Sequence, residues 1–157
     1  MKNPERILVV SMGTKQALKA VQWGISLARN YGAELFITHI VHNPFGLKGW
    51  SLPISSAKII EDEFTKILED AHKDLQDYIK TEDSEGLTIQ ESVIQGNPVK
   101  EITKLISEKN IDLMVMTAHE QGYIEHLMMG NDIRELIQKM PCSLFLVKRE
   151  LDYKRYE

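Results

Sequence analysis

The side chains that invite chemistry in this chain are few and scattered. Five histidines (His39, His42, His72, His119 and His126), the single cysteine Cys142, and the hydroxyls of Ser11 and Thr14 are the first to consider. The histidines have no metal-ligand spacing, and the nearest approach, His39 with His42, would point to opposite faces of a strand. They are expected to be surface or satisfied partial-core residues, with His119 and His126 set apart because they fall in a long loop, where function concentrates. Cys142 follows Pro141 at the entrance to an apolar run and has no basic neighbour to lower its pKa, which predicts a structural thiol. Ser11 or Thr14 with Asp112 and a histidine would suggest a hydrolase. No Gly-x-Ser-x-Gly elbow accompanies them, and hydroxyls at strand ends more commonly cap helices.

Any such group must be carried by a small scaffold. The chain has 157 residues, 43% hydrophobic and 27% charged, with a net charge of −4 and a pI of about 5.8. That length suits one domain able to bury about 68–70% of its unfolded surface without disulfides or a structural metal. Its acidity removes a broad electrostatic grip on nucleic acid or an anionic membrane as the default. The first apolar run, Ile7 to Val10, is too short for a signal-peptide core or a membrane span, so a cytoplasmic location is expected.

Apolar runs of four to eight residues alternate with stretches of helical spacing. The predicted strands are Arg6–Ser11, Glu34–Val41, Thr88–Ile94, Leu113–Thr117 and Ser143–Lys148. Ile7-Leu8-Val9-Val10 and Leu113-Met114-Val115-Met116 are apolar throughout, as strands covered on both faces must be, and these two are expected at the centre. Helices are predicted over Thr14–Asn30, stopped at Gly32, and over Ala57–Lys80. A third follows Pro98 and ends at Asn110, and a fourth starts from the cap Asn131 with Ile133, Leu136 and Ile137 on one face. Trp23 is expected in the core. For Phe45 and Trp50, closure over a crevice and contact with a partner stay open.

This order favours a doubly wound α/β sheet with right-handed crossovers. Ligands of such sheets bind beyond the carboxyl ends of the strands, where the strand order reverses. Two loops are thereby singled out, Met12–Thr14 and Thr117–Asn131.

From Ile7 to Val147 the chain resembles the universal stress protein family. The resemblance is carried by Ile7-Leu8-Val9-Val10-Ser11-Met12-Gly13-Thr14, by Gly96-Asn97-Pro98, by Asp112-Leu113-Met114-Val115-Met116 leading to His119, by Leu127-Met128-Met129-Gly130, and by Pro141-Cys142 before a closing apolar strand. It implies a domain over residues 1–148 with a C-terminal extension at 149–157. It also implies a five-stranded parallel sheet of order 3-2-1-4-5 with helices on both faces, and a homodimer through the last strand, Ser143 to Lys148. The implied role is stress tolerance rather than a defined reaction.

The resemblance further implies where a ligand would sit: Met12, Gly13, Ile40, Val41, Thr117, His119, Glu120, Gly130 and Asn131. Family members that bind ATP carry Gly-x2-Gly-x9-Gly followed by Ser or Thr, which lets bare backbone and a helix N-terminus approach the phosphates. The matching positions here are Thr117, Glu120, Gly130 and Asn131, so one glycine of three remains. Thr117 restricts torsions that glycine leaves open, and Glu120 brings a negative charge toward phosphate oxygens. Two unit charges about 4 Å apart repel by roughly 4 kcal/mol at an effective dielectric of 20. No Lys or Arg lies between Thr117 and Asn131 to offset it. Met12 stands where the binding members place an acidic residue facing the base and ribose.

Two readings follow. In the first, the chain is a binding or signalling module in stress response, acting through a protein partner or a small ligand, with no ATP, metal or other cofactor and no enzymatic activity. In the second it binds ATP or AMP, as a slow ATPase in the extreme case, with Gly130 and Asn131 at the phosphate, His119 nearby, and Ile40 and Val41 as an apolar floor for adenine. The segment after Lys148 is either a tail or an arm that packs across a dimer through Leu151, Tyr153 and Tyr156.

Overall fold

The computed structural model describes residues 2–11, 17–41, 84–117 and 137–148, together with 62, 65–66, 69–70, 72–77 and 79–80 of the intervening stretch. Five strands form one sheet: β1 (Arg6–Ser11), β2 (Glu34–Val41), β3 (Ile89–Gln95), β4 (Leu113–Thr117) and β5 (Ser143–Val147), in the order β3-β2-β1-β4-β5. Every neighbouring pair is parallel. This is the doubly wound architecture expected from the alternation of apolar runs and helical spacing.

Helix α1 spans Ala17–Tyr31, α2 comprises the helical residues between 62 and 80, and α3 spans Pro98–Lys109. A parallel sheet needs cover on both faces, and side-chain alternation shows how it is divided. Ile7 and Val9 of β1, Leu35 and Ile37 of β2 and Val115 of β4 pack with Ala20, Val21 and Ile25 of α1 and Leu75 and Ile79 of α2. The alternate residues Leu8, Val10, Phe36, Ile40, Met114 and Met116 pack with Ile102 and Ile106 of α3. β1 is the centre, flanked by β2 and β4, so β2 is as interior as the two strands expected there.

Local chemistry sets the ends of the elements. Asn97 caps α3, its side chain accepting from the Lys100 N–H at 3.1 Å, with Pro98 in the first turn. Asn110 closes the helix in the left-handed region, its N–H donating to the Ile106 carbonyl, and α1 ends before Gly32 at φ +66, where a side chain would be strained. Gly24 is the tightest helix–sheet contact: a Cβ built there would lie 2.2 Å from Val9 Cγ2, so α1 lies almost on β1.

Several expectations need correction. β3 is displaced one residue from Thr88–Ile94, because Gln95 still pairs with Val41 while Thr88 precedes the ladder. β5 stops at Val147, one residue short. α1 continues to Tyr31, and Pro98 is itself the first residue of α3. Trp23 is not in the core; it is 47% exposed, with its ring tilted on Phe145 at 5.2 Å. It lies off the Val21–Ile25–Ala28 stripe of α1 and reaches the rim of the sheet over β5. Ile137, expected on an apolar face, is half exposed. Thr14, Phe45, Trp50, Asn131, Ile133, Leu136 and the segment 149–157 lie outside the described residues.

Candidate functional site

The strand order reverses between β1 and β4, since β1 is followed by its neighbour β2 on one side and β4 by its neighbour β5 on the other. The crevice of a doubly wound sheet opens at that point. The register Val9↔Val115 sets the two strands level, so that Ser11 and Thr117, two residues further along each, end at the same height. Both loops expected to hold a ligand depart from this edge.

Among the residues expected to contact a ligand, Ile40, Val41 and Thr117 are described. Ile40 is buried in the layer under α3, Val41 is the last residue of β2, paired with Gln95, and Thr117 is the half-buried end of β4, in register with Val147. Thr117 therefore lies within a ladder rather than in a free loop. Met12, Gly13, His119, Glu120, Gly130 and Asn131 lie outside the described residues.

The structure adds two polar pairs at this end of the sheet. Ser11 and His39 are register partners on β1 and β2; Ser11 Oγ lies 3.2 Å from His39 Nδ1, and both residues are buried. On the opposite face, Thr38 Oγ1 lies 2.9 Å from Ser92 Oγ, joining β2 to β3. Burial holds the His39 imidazole below its ordinary value, and the Asp74 carboxylate on α2 offsets part of that effect. His39 is thus a buried core histidine, and the Ser11 hydroxyl bonds its ring. A signal for this pair lies in two polar residues at matching positions in adjoining strands, but it becomes legible only once the register is known.

Asp112 belongs to the other pole. Its Oδ2 accepts from the N–H groups of Glu5 and Arg6 at 2.8 and 2.9 Å, and its own backbone bonds to Arg6 and Ser143. Five strand residues, on the order of 16 Å, separate this staple from Ser11, so no hydrolytic triad can be assembled from the two. Cys142, half-buried beside α3, has its thiol pushed up by burial, with a backbone hydrogen bond from Met114 offsetting part of the shift. His72 is exposed, next to Gln76 on α2. Among the described residues, no three His, Cys, Asp or Glu side chains gather as metal ligands do, and no helix is long and apolar enough to cross a membrane.

A five-stranded, all-parallel sheet of this order, reversing between β1 and β4, defines a doubly wound α/β protein. The chain matches the universal stress protein family over residues 4–148 and belongs to it. It is similar to universal stress protein MJ0577 of Methanocaldococcus jannaschii, 23% identical over 96 residues, which span 60% of this chain and 59% of that relative. The solved structure of MJ0577 superposes with a TM-score of 0.73 at 18% identity, covering 96% of this chain and 99% of the other. A universal stress protein solved in complex with cAMP gives a TM-score of 0.61 at 20% identity, over 94% and 98% of the two chains. The Archaeoglobus fulgidus protein in complex with dAMP gives 0.52 at 18%, over 94% and 100%. At these identities the structural likeness establishes the fold.

Proposed function

We propose that this chain is a stress-response module that works by binding, as a homodimer, with a crevice unsuited to a triphosphate. The observation that carries this reading is the replacement of the first glycine of the phosphate motif by Thr117, a residue held in the β4 ladder against Val147. The next replacement, Glu120, adds a carboxylate in a stretch with no compensating Lys or Arg. A second reading is favoured by the cAMP and dAMP complexes of similar proteins: a ligand with one phosphate, held at Gly130 and Asn131, meets less of the repulsion that a triphosphate would.

The dimer is supported by β5. It is an edge strand whose sequence, Ser-Leu-Phe-Leu-Val, contains neither a charge nor a proline, and Leu146 is half exposed on it. Edges left unguarded in this way are templates for pairing with another chain. The domain would then be residues 1–148, with 149–157 as an extension.

Equilibrium dialysis with ATP and AMP tests the ligand. Retention of neither nucleotide is expected on the first reading and of AMP alone on the second; micromolar retention of ATP overturns both. Light scattering tests the assembly, and a monomer at tens of micromolar protomer would exclude pairing through β5.

A further inference from the structure

We propose that Ser11 and His39 form a proton-operated latch at the crevice end of β1 and β2, closed while the imidazole is neutral and released when it takes up a proton. The reading does not depend on which ligand the crevice holds, because the effector is the proton itself.

The geometry is specific. The ring is 7% exposed and its hydroxyl partner fully buried, and the 3.2 Å contact joins the last residue of β1 to β2 two residues before its end. A neutral ring satisfies this contact in either tautomer, since the hydroxyl can donate or accept. The surroundings give a cation little support. β3 places Val93 in register beside the ring, and the layer is built from Val9, Ile37, Ala20 and Val21 with Leu75 and Ile79 of α2. Among the described residues the one charge acting on the ring is Asp74, attractive but outweighed by burial.

A proton on His39 therefore puts an ion into an apolar layer, where burial disfavours the charged form, and moving the ring toward solvent relieves that penalty. Asp74 is exposed on α2 and offers the charged ring a destination at the surface. Leaving the layer breaks the tie to Ser11 and loosens the end of β2 at Ile40 and Val41. The sign follows by linkage: because the folded value is depressed, the neutral ring's contribution is complete above the ordinary histidine value of about 6.5 and is lost as pH falls through the folded value. Acidification is thus the input, and the edge of the crevice is the element it moves.

The test uses the full chain. Ring carbon–proton resonances, followed from about pH 8 down to about pH 4.5, report His39 directly, and amide exchange corrected for intrinsic rates reports the ladder at Ile40 and Val41. His39 is expected to titrate below the ordinary value, with protection of the two amides lost over the same interval. Asp74→Asn should move both midpoints lower together, and His39→Gln should flatten the protection profile. Titration of His39 at or above the ordinary value overturns the latch, as does a loss of protection whose midpoint differs from that of the ring. So does an unchanged profile in His39→Gln. Should that variant fail to fold, the two midpoints in the wild-type chain decide.

Discussion

Gly24→Ala tests the contact between α1 and β1 in a way that sets two effects of opposite sign against each other. Glycine inside a helix is about 1 kcal/mol less favourable than alanine, so with open space around it the substitution would stabilise the protein by that amount. The space is not open. The new Cβ would meet Val9 Cγ2 at 2.2 Å, roughly 1.3 Å short of ordinary carbon–carbon contact. Val9 is fully buried on the central strand, and its β-branched side chain has little rotamer freedom with which to withdraw. Leu35 Cδ1, at 3.5 Å from the new atom, would be an ordinary neighbour, so the conflict is with Val9 alone. Overpacking of this kind costs about 1–3 kcal/mol, and an overlap above 1 Å belongs in the upper half of that range. The net expectation is a loss of about 1–2 kcal/mol, or a melting temperature lower by roughly 2–8 °C for a chain of this size. Urea unfolding followed by circular dichroism at one fixed protomer concentration measures it, since any oligomer couples stability to concentration. In the double variant Val9→Ala/Gly24→Ala the removed methyls leave room for the added one, so the combined loss should fall short of the two single losses by about 1 kcal/mol. A more stable Gly24→Ala protein, or strict additivity in the pair, would refute the packing argument.

Three further outcomes can be checked in the same way. Asp112→Ala removes the acceptor for two backbone N–H groups at the start of β1; because the site is solvated, the loss should be about 1 kcal/mol, and an unchanged urea midpoint would show that water replaces the carboxylate fully. Asn97→Ala takes the cap from α3 and should cost about 1 kcal/mol, with Asn97→Asp recovering most of it; equal stability of all three proteins would contradict a capping role. Cys142 should react with a thiol reagent more slowly at neutral pH than a free cysteine does, and faster as pH rises, because burial holds its proton. Labelling at the rate of free cysteine would show the thiol to be accessible and ionised.

The skeleton of the fold was legible because its signals are local. Ile7–Val10 and Leu113–Met116 have the unbroken apolar character of strands covered on both faces, and Gly96-Asn97-Pro98 states turn, cap and first helical residue in succession. β1, β2 and β4 accordingly have the predicted bounds. Long-range placement was harder to read. Trp23 is large and apolar, which favours the interior, but its side depends on how far α1 leans across β5, and the ring lies on Phe145 at the rim. Ser11 and His39 are 28 residues apart; each alone suggests a cap or a partial-core histidine, and their pairing depends on a register that begins at Arg6↔Glu34. Where a ligand is expected follows from strand order, whereas what could bind there turns on single replacements such as Thr117 for glycine, a comparison that only the family resemblance supplies.

The central position of β1 also has a consequence for synthesis. β1 is synthesised well before one of its two neighbours, β4, which is tied to it by contacts that span 106 residues of chain. At 5–20 residues per second that interval lasts roughly 5–20 s. Throughout it, the strand at the heart of the finished sheet is at best the open edge of a half-sheet, with Ile7–Val10 facing whatever the cell supplies. The most protected strand of the folded protein is thus the one that the nascent chain must leave unprotected longest.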